Sequence, residues 1–463
     1  MSKLSRSLVP FLFCLAVSAE AFGLDPFNTE GITPPRPTPQ TVGRSGDAPC
    51  AREIPAAPLT AIDAVDLTLC NNPQTREVWA AARVQAAQVG VAQAAWLPGL
   101  DGRLGASRYQ NDGRYYNSSS AVLTLSWLVF DSGARSANGE NARQLLAAAA
   151  ATQDSTVQSL FLSALQAFYF AQATRAAVVS TTEAERAARE GFNAADSRYN
   201  VGVATPADRL LAQTALSQAT LNRIRAEGEA RNALGALANV MGFLAGQTLS
   251  LVAPPAELPD AGFQREVAAL IAEAEARRPD LKAAEAQVKA AQAGVDLAQA
   301  QGRPTVSLST GPTWAETDRV SVNGGVIGVT VNVPIFTGFD TTYRVRSAEA
   351  QVDVRAAQLD RLRNQVALDV WKAYQSLTTA TQSLKTTLDL VASAEQSERV
   401  ALGRYKAGVG TVLDLLTAQS ALASARLQRI QAALDWYVYR ATLAQSVGAL
   451  DYTLLQPAAE GRP

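Results

Sequence analysis

Histidine is absent from the 463-residue sequence, which removes the commonest catalytic base and the commonest metal ligand. Cysteine occurs only at positions 14, 50 and 70, without the paired spacing of a metal site. The net charge is −1, so no basic excess favours a nucleic-acid partner. The chain also lacks a glycine-rich phosphate-binding motif that ends in lysine. These absences argue against an enzyme, and neither a metal nor a cofactor is expected.

The amino terminus has the pattern of an export signal. Lys3 and Arg6 precede an apolar run at Leu8–Val17, and Ala19-Glu20-Ala21 is a small-x-small cleavage site. The run is too short to span a bilayer. Residues 1–21 are therefore predicted to be a signal peptide. In the oxidising compartment that this implies, Cys50 and Cys70 could form a disulfide, and the sequence equally permits two free thiols.

The remaining chain is predicted to contain two structural repeats. Residues 22–59 are rich in proline and lack apolar periodicity, so we expect an extended or disordered segment. The predicted parts that follow are a first repeat, a proline-containing linker, a second repeat and a tail, at residues 60–240, 241–262, 263–450 and 451–463. Corresponding positions in the two repeats are 206 residues apart, as for Pro73 and Pro279 or Pro98 and Pro304.

The duplication is clearest at residues 198–213 and 404–419, which predict the tips of two helical hairpins. In each copy a helix is expected to end at a glycine, and the next is expected to begin at a threonine N-cap with an aspartate three residues later. We predict the tips at about 198–206 and 404–412. Their characteristic residues are Arg198, Tyr199, Gly202, Thr205 and Asp208 in the first copy, and Arg404, Tyr405, Gly408, Thr411 and Asp414 in the second.

Each repeat also predicts two β-strands, because the apolar period changes from helical to two after Pro98 and Pro304. The expected strands lie at about 99–110, 120–131, 304–314 and 321–336, with polar loops at Asn111–Ser120 and Ala315–Asn323. One apolar and one polar face over such lengths is typical of a transmembrane β-strand, and a half-buried soluble hairpin gives the same pattern. Four strands cannot close a barrel in lipid, so a membrane location would require several chains to contribute to one barrel.

The helical parts are long. We expect one helix before each strand pair, at Thr60–Ala95 and Gln264–Gln301, and an uninterrupted helix after it, at Ala134–Arg198 and Asp340–Tyr405. Each of the latter would be roughly 95 Å long at 1.5 Å per residue. Apolar residues repeat every seven positions along the second, which indicates a coiled-coil seam: Val345, Val352, Leu359 and Val366, then Val370, Leu377, Leu384 and Val391.

In these features the chain resembles the TolC family of bacterial outer-membrane channels, over about Thr60 to Tyr452. The resemblance is carried by the two Arg-Tyr-x-x-Gly-x-x-Thr tips, by the prolines before the strands, and by the strand-to-helix corners Phe130-Asp131-Ser132-Gly133 and Phe336-Thr337-Gly338. The Leu69-Cys70-Asn71-Asn72-Pro73 entry and the following Ala-Ala-Gln-Val-Gly-Val resemble the type I secretion branch, which includes CyaE-like channels.

The resemblance implies a mainly α-helical homotrimer in the outer membrane of a Gram-negative bacterium. Three chains would form a twelve-stranded β-barrel continued by a periplasmic α-helical barrel. Members are passive channels for secreted proteins, drugs or other small molecules. Their partners are a periplasmic adaptor and an inner-membrane ABC transporter or proton-driven pump. The alternative is a soluble periplasmic coiled-coil scaffold whose hairpins serve only for docking.

By resemblance, the hairpin tips form a periplasmic gate in which Asp414 contributes to a constricting ring, with Tyr405 and Asp208 nearby. Two positions depart from the family pattern: its lock arginine is Gly410 here, and its second ring aspartate is Thr417. Arg404 and Arg209 are candidates for a replacement latch. A purely structural interpretation makes Asp208 and Asp414 capping acids and the two tip tyrosines packing residues. Asp101 and Arg103 are weaker candidates for lining the barrel lumen.

Overall fold

The computed structural model of the chain describes residues 24–44, 50, 53–253, 266–318 and 320–455, so the predicted signal peptide lies outside the described residues. The chain forms two compact units, which are described separately. The first is built from Trp79–Ala151, Lys282–Asp360 and the described residues up to Pro34. The second is built from Pro35–Val78, Thr152–Leu281 and the described residues from Arg361 onward.

The elements follow the duplicated order expected from the sequence. The α-helices are α1 (Ala61–Asn71), α2 (Pro73–Ala94), α3 (Ala134–Asn200), α4 (Pro206–Val240), α5 (Val267–Arg277), α6 (Pro279–Gln301), α7 (Asp340–Lys406) and α8 (Val412–Val447). The strands are β1 (Gly99–Asn111), β2 (Arg114–Phe130), β3 (Thr305–Thr317) and β4 (Ser321–Asn332). Within the described part of the chain, no helix combines the length and the apolar character that crossing a membrane requires.

The first helix of each repeat is broken in two, which corrects the prediction of single helices at Thr60–Ala95 and Gln264–Gln301. The breaks fall at Asn72 and Arg278, whose ψ angles of 130° and 125° are extended. Each is followed by a proline, whose ring disfavours the helical conformation of the residue before it. The chain therefore leaves one helix and starts the next without a loop.

The four strands form one antiparallel sheet in the order β1-β2-β3-β4. β1 and β2 are joined by a two-residue turn at Asp112 and Gly113, whose φ angles of 50° and 75° suit a tight hairpin. The predicted loop at Asn111–Ser120 is therefore wrong, because most of it belongs to β2. β4 also ends earlier than predicted, before Pro334, which has no backbone N–H for the ladder.

One face of this sheet is apolar and uncovered in the single chain. Leu100 pairs with Leu125, Leu125 with Thr310, and Thr310 with Ile327, so these residues form one row across all four strands. Leu100 and Ile327 are 65% and 79% exposed. β1 and β4 are the edges of the described sheet, and each presents unpaired backbone groups on its outer side.

The second unit has an apolar core where α1 packs on the middle of α3 and the end of α4. Its members include Leu59, Leu67, Phe168, Leu237 and Met241, and all of them are buried. The described start of the linker joins this core, because Leu251 forms a parallel bridge with Leu59. Leu251 and Val252 also accept hydrogen bonds from Arg175 and Gln172 of α3 at 3.2 Å and 2.5 Å.

The heptad seam of α7 is buried over most of its length. Six of its predicted positions are less than 9% exposed: Leu359, Val366, Val370, Leu377, Leu384 and Val391. The two earliest positions, Val345 and Val352, are only half-buried. The seven-residue period therefore identified the packed face of this helix correctly from Leu359 onward.

The proline-rich segment at 22–59 is not disordered where the structure describes it, which corrects that prediction. The carbonyl oxygen of Pro34 accepts a hydrogen bond from Trp79 Nε1 at 3.2 Å, and that of Pro35 accepts one from Gln153 Nε2 at 2.9 Å. Arg44 forms an ion pair with Asp66 of α1. Cys50 and Cys70 are joined by a disulfide, with their Cα atoms 5.5 Å apart. Contacts with distant residues order this part of the segment, although its composition lacks apolar periodicity.

Removing the disulfide is expected to release the segment. The bond closes a stretch with a sequence separation of 20, for which loop-closure entropy predicts a contribution of about 3 kcal/mol. In Cys70→Ser, trypsin should cleave after Arg44 at least about tenfold faster, because the local opening becomes more populated. The double variant Cys50→Ser/Cys70→Ser excludes an effect of the free thiol and should behave identically. Unchanged cleavage in both would show that other contacts hold the segment.

Candidate functional site: the hairpin tips

Both hairpin tips have the local structure that their sequences predict. α3 and α7 end before Gly202 and Gly408, whose φ angles of 80° and 81° lie in the left-handed region that glycine adopts without strain. α4 and α8 begin after the N-caps Thr205 and Thr411, and each forms a complete capping box. Pro206 occupies the first turn of α4, where its missing N–H costs nothing. The tips are therefore short, rigid turns.

Asp208 and Asp414 are the acids of these capping boxes. The Asp414 carboxylate accepts a hydrogen bond from the Thr411 backbone N–H at 3.2 Å, and the Asp414 N–H donates to the Thr411 hydroxyl at 3.1 Å. Hydrogen bonds from the Thr411 side chain and backbone, with a smaller effect of the Arg404 charge, hold the pKa of Asp414 below its ordinary value. Asp414 is solvent-exposed, so the tip carries a permanent negative charge at neutral pH.

A single arginine connects the two tips within the chain. Arg198 Nη1, at the end of α3, donates a hydrogen bond of 2.7 Å to the backbone carbonyl oxygen of Tyr405 at the end of α7. The guanidinium carbon also lies 4.9 Å from the centre of the Tyr405 ring, within the range of a cation–π interaction. Arg198 thus holds the second tip through both its backbone and its side chain.

Tyr405 is enclosed at this junction and only 3% exposed. Burial raises the pKa of its phenol above the ordinary value, despite the opposing charge of Arg198, and the phenol is therefore neutral at physiological pH. Among the described residues, neither Tyr405 Oη nor Arg198 Nε has a hydrogen-bond partner. Leaving these two buried polar atoms unpaired reduces the stability of the contact between Arg198 and Tyr405.

An apolar cluster lies beside this contact, and both hairpins contribute to it. Ala195 and Ala212 of the first hairpin pack with Tyr405, Val412 and Leu415 of the second, and all are buried. Further from the tip, Gln419 Nε2 donates a hydrogen bond of 3.0 Å to the backbone carbonyl of Ala187. The two hairpins of one chain are therefore joined by an apolar seam with a polar contact on either side.

Among the described residues, neither Arg209 nor Arg404 joins the two hairpins of one chain, and a latch between copies stays a prediction. Arg209 forms an ion pair with Asp196 at 2.6 Å and lies over the ring of Tyr199 at 5.5 Å, all within the first hairpin. The charge of Arg404 lowers the pKa of Asp414, which belongs to the same hairpin. The bridging residue is Arg198, which the sequence identified only as a tip residue. No local signal separates it from Arg404, because the two occupy the same position of the repeated motif.

Of the two positions that depart from the family pattern, Gly410 lies beside this contact. The Gly410 N–H donates to the Arg404 carbonyl oxygen at 3.1 Å, and a Cβ atom at Gly410 would lie 3.1 Å from Arg404 Cβ. This close approach to α7 favours glycine. Thr417 is exposed on α8, where it lines a shallow groove with Leu416, Ser420, Ala421 and Ser424. Over the described part of the chain, no cluster of Cys, Asp and Glu is arranged to bind a metal ion.

Comparisons with known proteins give a consistent result. The model of the family described as "Outer membrane efflux protein" matches residues 64–243 and 270–449. The chain is 34% identical over 403 residues to Protein CyaE of Bordetella pertussis, covering 85% of this chain and 84% of that protein. It is 25% identical over 407 residues to Outer membrane protein TolC of Escherichia coli, covering 82% and 80%.

Solved structures agree on the fold. The Campylobacter jejuni CmeC outer membrane channel superimposes with a TM-score of 0.76 at 18% identity, over 84% of this chain and 86% of that one. The outer membrane protein VceC of Vibrio cholerae gives a TM-score of 0.73 at 20% identity, over 84% and 96%.

Proposed function

The chain belongs to the outer membrane efflux protein family, and on that premise we propose that it is the passive outer-membrane channel of a tripartite export system. The family forms homotrimers that work with a periplasmic adaptor and an inner-membrane transporter. Its members lie in the outer membrane of Gram-negative bacteria and extend into the periplasm. The channel supplies a path, and the transporter supplies the energy.

The sheet is the observation that carries this proposal. Its apolar face is exposed, and its edges at β1 and β4 have no partner strand in the described chain. Three copies placed edge to edge contribute twelve strands, enough to close a barrel that faces lipid with its apolar side. The trimer therefore pairs the edge backbone groups that a single chain leaves unpaired.

The proposal is tested by fractionation and by gel mobility. The protein should remain with outer membranes after a salt wash and should migrate in mild SDS as a trimer that heating dissociates. The soluble scaffold considered as an alternative receives no support from the comparisons. Release by the salt wash as a detergent-free monomer would overturn the channel function.

For the exported cargo, we favour a protein of the type I secretion class. The 34% identity with CyaE exceeds the 26% identity with the efflux protein BepC of Brucella suis and the 25% with TolC. The neighbouring genes test this choice, because an ABC transporter beside a large secreted protein supports it. A proton-driven pump in that position would instead assign the channel to small molecules.

We further propose that the hairpin tips form the periplasmic gate and that Asp414 forms a ring of three carboxylates in the trimer. Asp414 is exposed, ionised and held in place by Thr411, so it can face a pore without losing its position. Three carboxylates around an axis attract cations and repel one another. Tyr405 and Asp208 contribute to the closed tip, and Thr417 and Gly410 lie next to it.

Asp414→Ala is expected to weaken block by multivalent cations by about tenfold or more, because three charges disappear together. Single-channel conductance in planar bilayers should rise at the same time. Asp414→Asn removes the charge at nearly constant volume and should give the same result. The control is Asp389→Asn, which neutralises an exposed carboxylate on α7 at a distance from the tip. Equal loss of block in the control, or unchanged block in Asp414→Ala, would remove Asp414 from the ring.

A further inference from the structure

A mainly apolar cavity lies between the two hairpins, away from their tips. It has a volume of about 630 Å³ and is bounded by α3 of the first hairpin and by α7 and α8 of the second. Pockets that bind small organic molecules have volumes of about 300–1,000 Å³. We propose that this cavity binds an elongated organic anion, with an apolar or aromatic body and one acidic group. The site is separate from the gate and does not depend on it.

The two ends of the cavity differ in chemistry. At one end Tyr169 stacks on Tyr437 with ring centres 4.7 Å apart, and Trp436 meets Tyr437 edge to face at 5.0 Å. The wall next to this end is lined mainly by alanine, valine, leucine and isoleucine. At the other end lie two acids and two arginines, namely Glu183, Glu395, Arg426 and Arg429. The ends are about 21 Å apart along α3, at 1.5 Å per residue, so the cavity suits a long ligand with unlike ends.

Arg429 is the charge that remains for a ligand. The two acids at this end are already paired, Glu183 with Arg186 at 2.7 Å and Glu395 with Arg426 at 2.9 Å. Arg429 has neither an ion pair nor a hydrogen bond within the described part of the chain. A guanidinium presents a planar fork of donors that matches a carboxylate or a sulfonate. The unpaired charge therefore favours an anionic group on the ligand.

The first hairpin shows which partners this arginine lacks. Arg223, the counterpart of Arg429 in the 206-residue repeat, binds Glu185 at 2.5 Å and also pairs with Glu227. The residues that correspond to these two acids in the second hairpin are Val391 and Ala433. Both of them line the cavity. The second hairpin thus has the arginine without either carboxylate, and an external anion can take their place.

Ser180 supplies a second polar group. It is only 8% exposed and lines the same cavity as Arg429. Thr181 and Thr182 donate hydrogen bonds to backbone carbonyls one turn earlier in α3, whereas the Ser180 hydroxyl has no partner among the described residues. A largely buried hydroxyl without a partner is unfavourable, and the acidic group of a ligand can accept its hydrogen bond. The two polar groups come from different hairpins, so the ligand contacts both hairpins.

Photolabelling of the full-length protein in detergent with 4-benzoylbenzoate tests the proposal. This probe has an aromatic body, one carboxylate and a ketone that couples to nearby C–H groups on irradiation. Labelling should saturate at one probe per chain in the tryptic peptides 176–186 and 430–440, which contain the cavity walls from α3 and α8. The neutral analogue 4-benzoylbenzamide should label these peptides about tenfold less. Label on the exposed apolar face of the sheet measures non-specific binding in the same sample.

Variants of the cavity are compared through peptide 176–186, which they leave unchanged. Arg429→Gln should reduce its labelling by 4-benzoylbenzoate about tenfold, because the ligand loses its counter-charge. Ala433→Phe fills the cavity and should abolish labelling. The matched controls are Arg231→Gln on α4 and Ala421→Phe on α8, since both residues are exposed and neither lines the cavity. Helical circular dichroism shows which variants are folded, and Arg429→Gln decides the question if Ala433→Phe is not.

Three results would overturn the proposal. Equal labelling by the carboxylate and the amide would exclude an anionic ligand. Equal labelling of Arg429→Gln and Arg231→Gln would remove Arg429 from the site. Label confined to the sheet would exclude the cavity as a ligand site, and this is the result expected if a second copy fills the cavity in the trimer. The channel function stands or falls separately, because membrane fractionation and trimer mobility are measured without the probe.

Discussion

Replacement of Arg198 by alanine is expected to leave the channel open much more often than in the natural protein. Arg198 is the residue that spans from one tip to the other, through a 2.7 Å hydrogen bond to the Tyr405 carbonyl and through the face of the Tyr405 ring. A hydrogen bond from a charged donor contributes about 2 kcal/mol, which corresponds to about a thirtyfold change in the ratio of open to closed tips. The hairpins are otherwise joined by the apolar seam and by the Gln419 hydrogen bond to Ala187, so loss of Arg198 should loosen the tips without unfolding either hairpin.

Single-channel recording in planar bilayers measures this change directly, and uptake of a large antibiotic by intact cells measures it in vivo. Arg198→Lys keeps the charge but loses the guanidinium plane that stacks on Tyr405, so it should fall between alanine and the natural residue. Arg399→Ala, an exposed substitution on α7, should leave the open probability unchanged. If Arg198→Ala matches that control, the apolar seam and the Gln419 hydrogen bond are enough to hold the tips together.

The tip illustrates which part of the site could be predicted from the sequence. The capping boxes at Thr205 and Thr411 were predictable because N-capping depends on residues three apart in the chain. The role of Arg198 was not predictable, because Arg198 and Arg404 have the same neighbours in sequence and differ only in what packs beside them. A contact between residues 207 positions apart is a property of the tertiary structure. The resemblance to a family also directed attention to Gly410, where the family's arginine is missing.

The fold shows the same division between local and distant causes. Period-two alternation identified all four strands, since it follows from the geometry of each strand alone. The helix breaks at Asn72 and Arg278 were missed although the prolines after them were noted, because the restriction falls on the residue before proline. The order of the proline-rich segment was missed for a different reason. Trp79 and Gln153, whose side chains bind its backbone, lie far away in the sequence, and only the disulfide between Cys50 and Cys70 was considered from the sequence.

The corner between β2 and α3 contains a buried ion pair. The corresponding corner of the second repeat, between β4 and α7, has no such pair among the described residues. Asp131 and Arg135 are 4% and 6% exposed and are joined at 2.9 Å. The Asp131 carboxylate also accepts from the Arg135 backbone N–H at 2.8 Å. Arg135 donates to the carbonyls of Ala95 and Val129 and lies 4.2 Å from the centre of the Trp96 ring. The end of α2, the end of β2 and the start of α3 therefore meet at one guanidinium.

Arg135→Ala is expected to destabilise the first unit by about 3–5 kcal/mol, because it leaves the Asp131 carboxylate buried without its counter-charge. Asp131→Ala/Arg135→Ala should cost less than the single change, since no unpaired charge remains. Guanidinium titration in detergent, followed by tryptophan emission, measures the stability of both variants, and Trp96 reports on the corner itself.

The corresponding corner of the second repeat provides the control. Thr337 and Thr341 occupy the positions of Asp131 and Arg135 there, and their hydroxyl oxygens lie 3.4 Å apart. Thr341→Ala should therefore cost less than about 1 kcal/mol. Equal costs for Arg135→Ala and Thr341→Ala would mean that the backbone turn, with left-handed φ angles at Ser132 and at the corresponding Gly338, forms the corner without help from the ion pair.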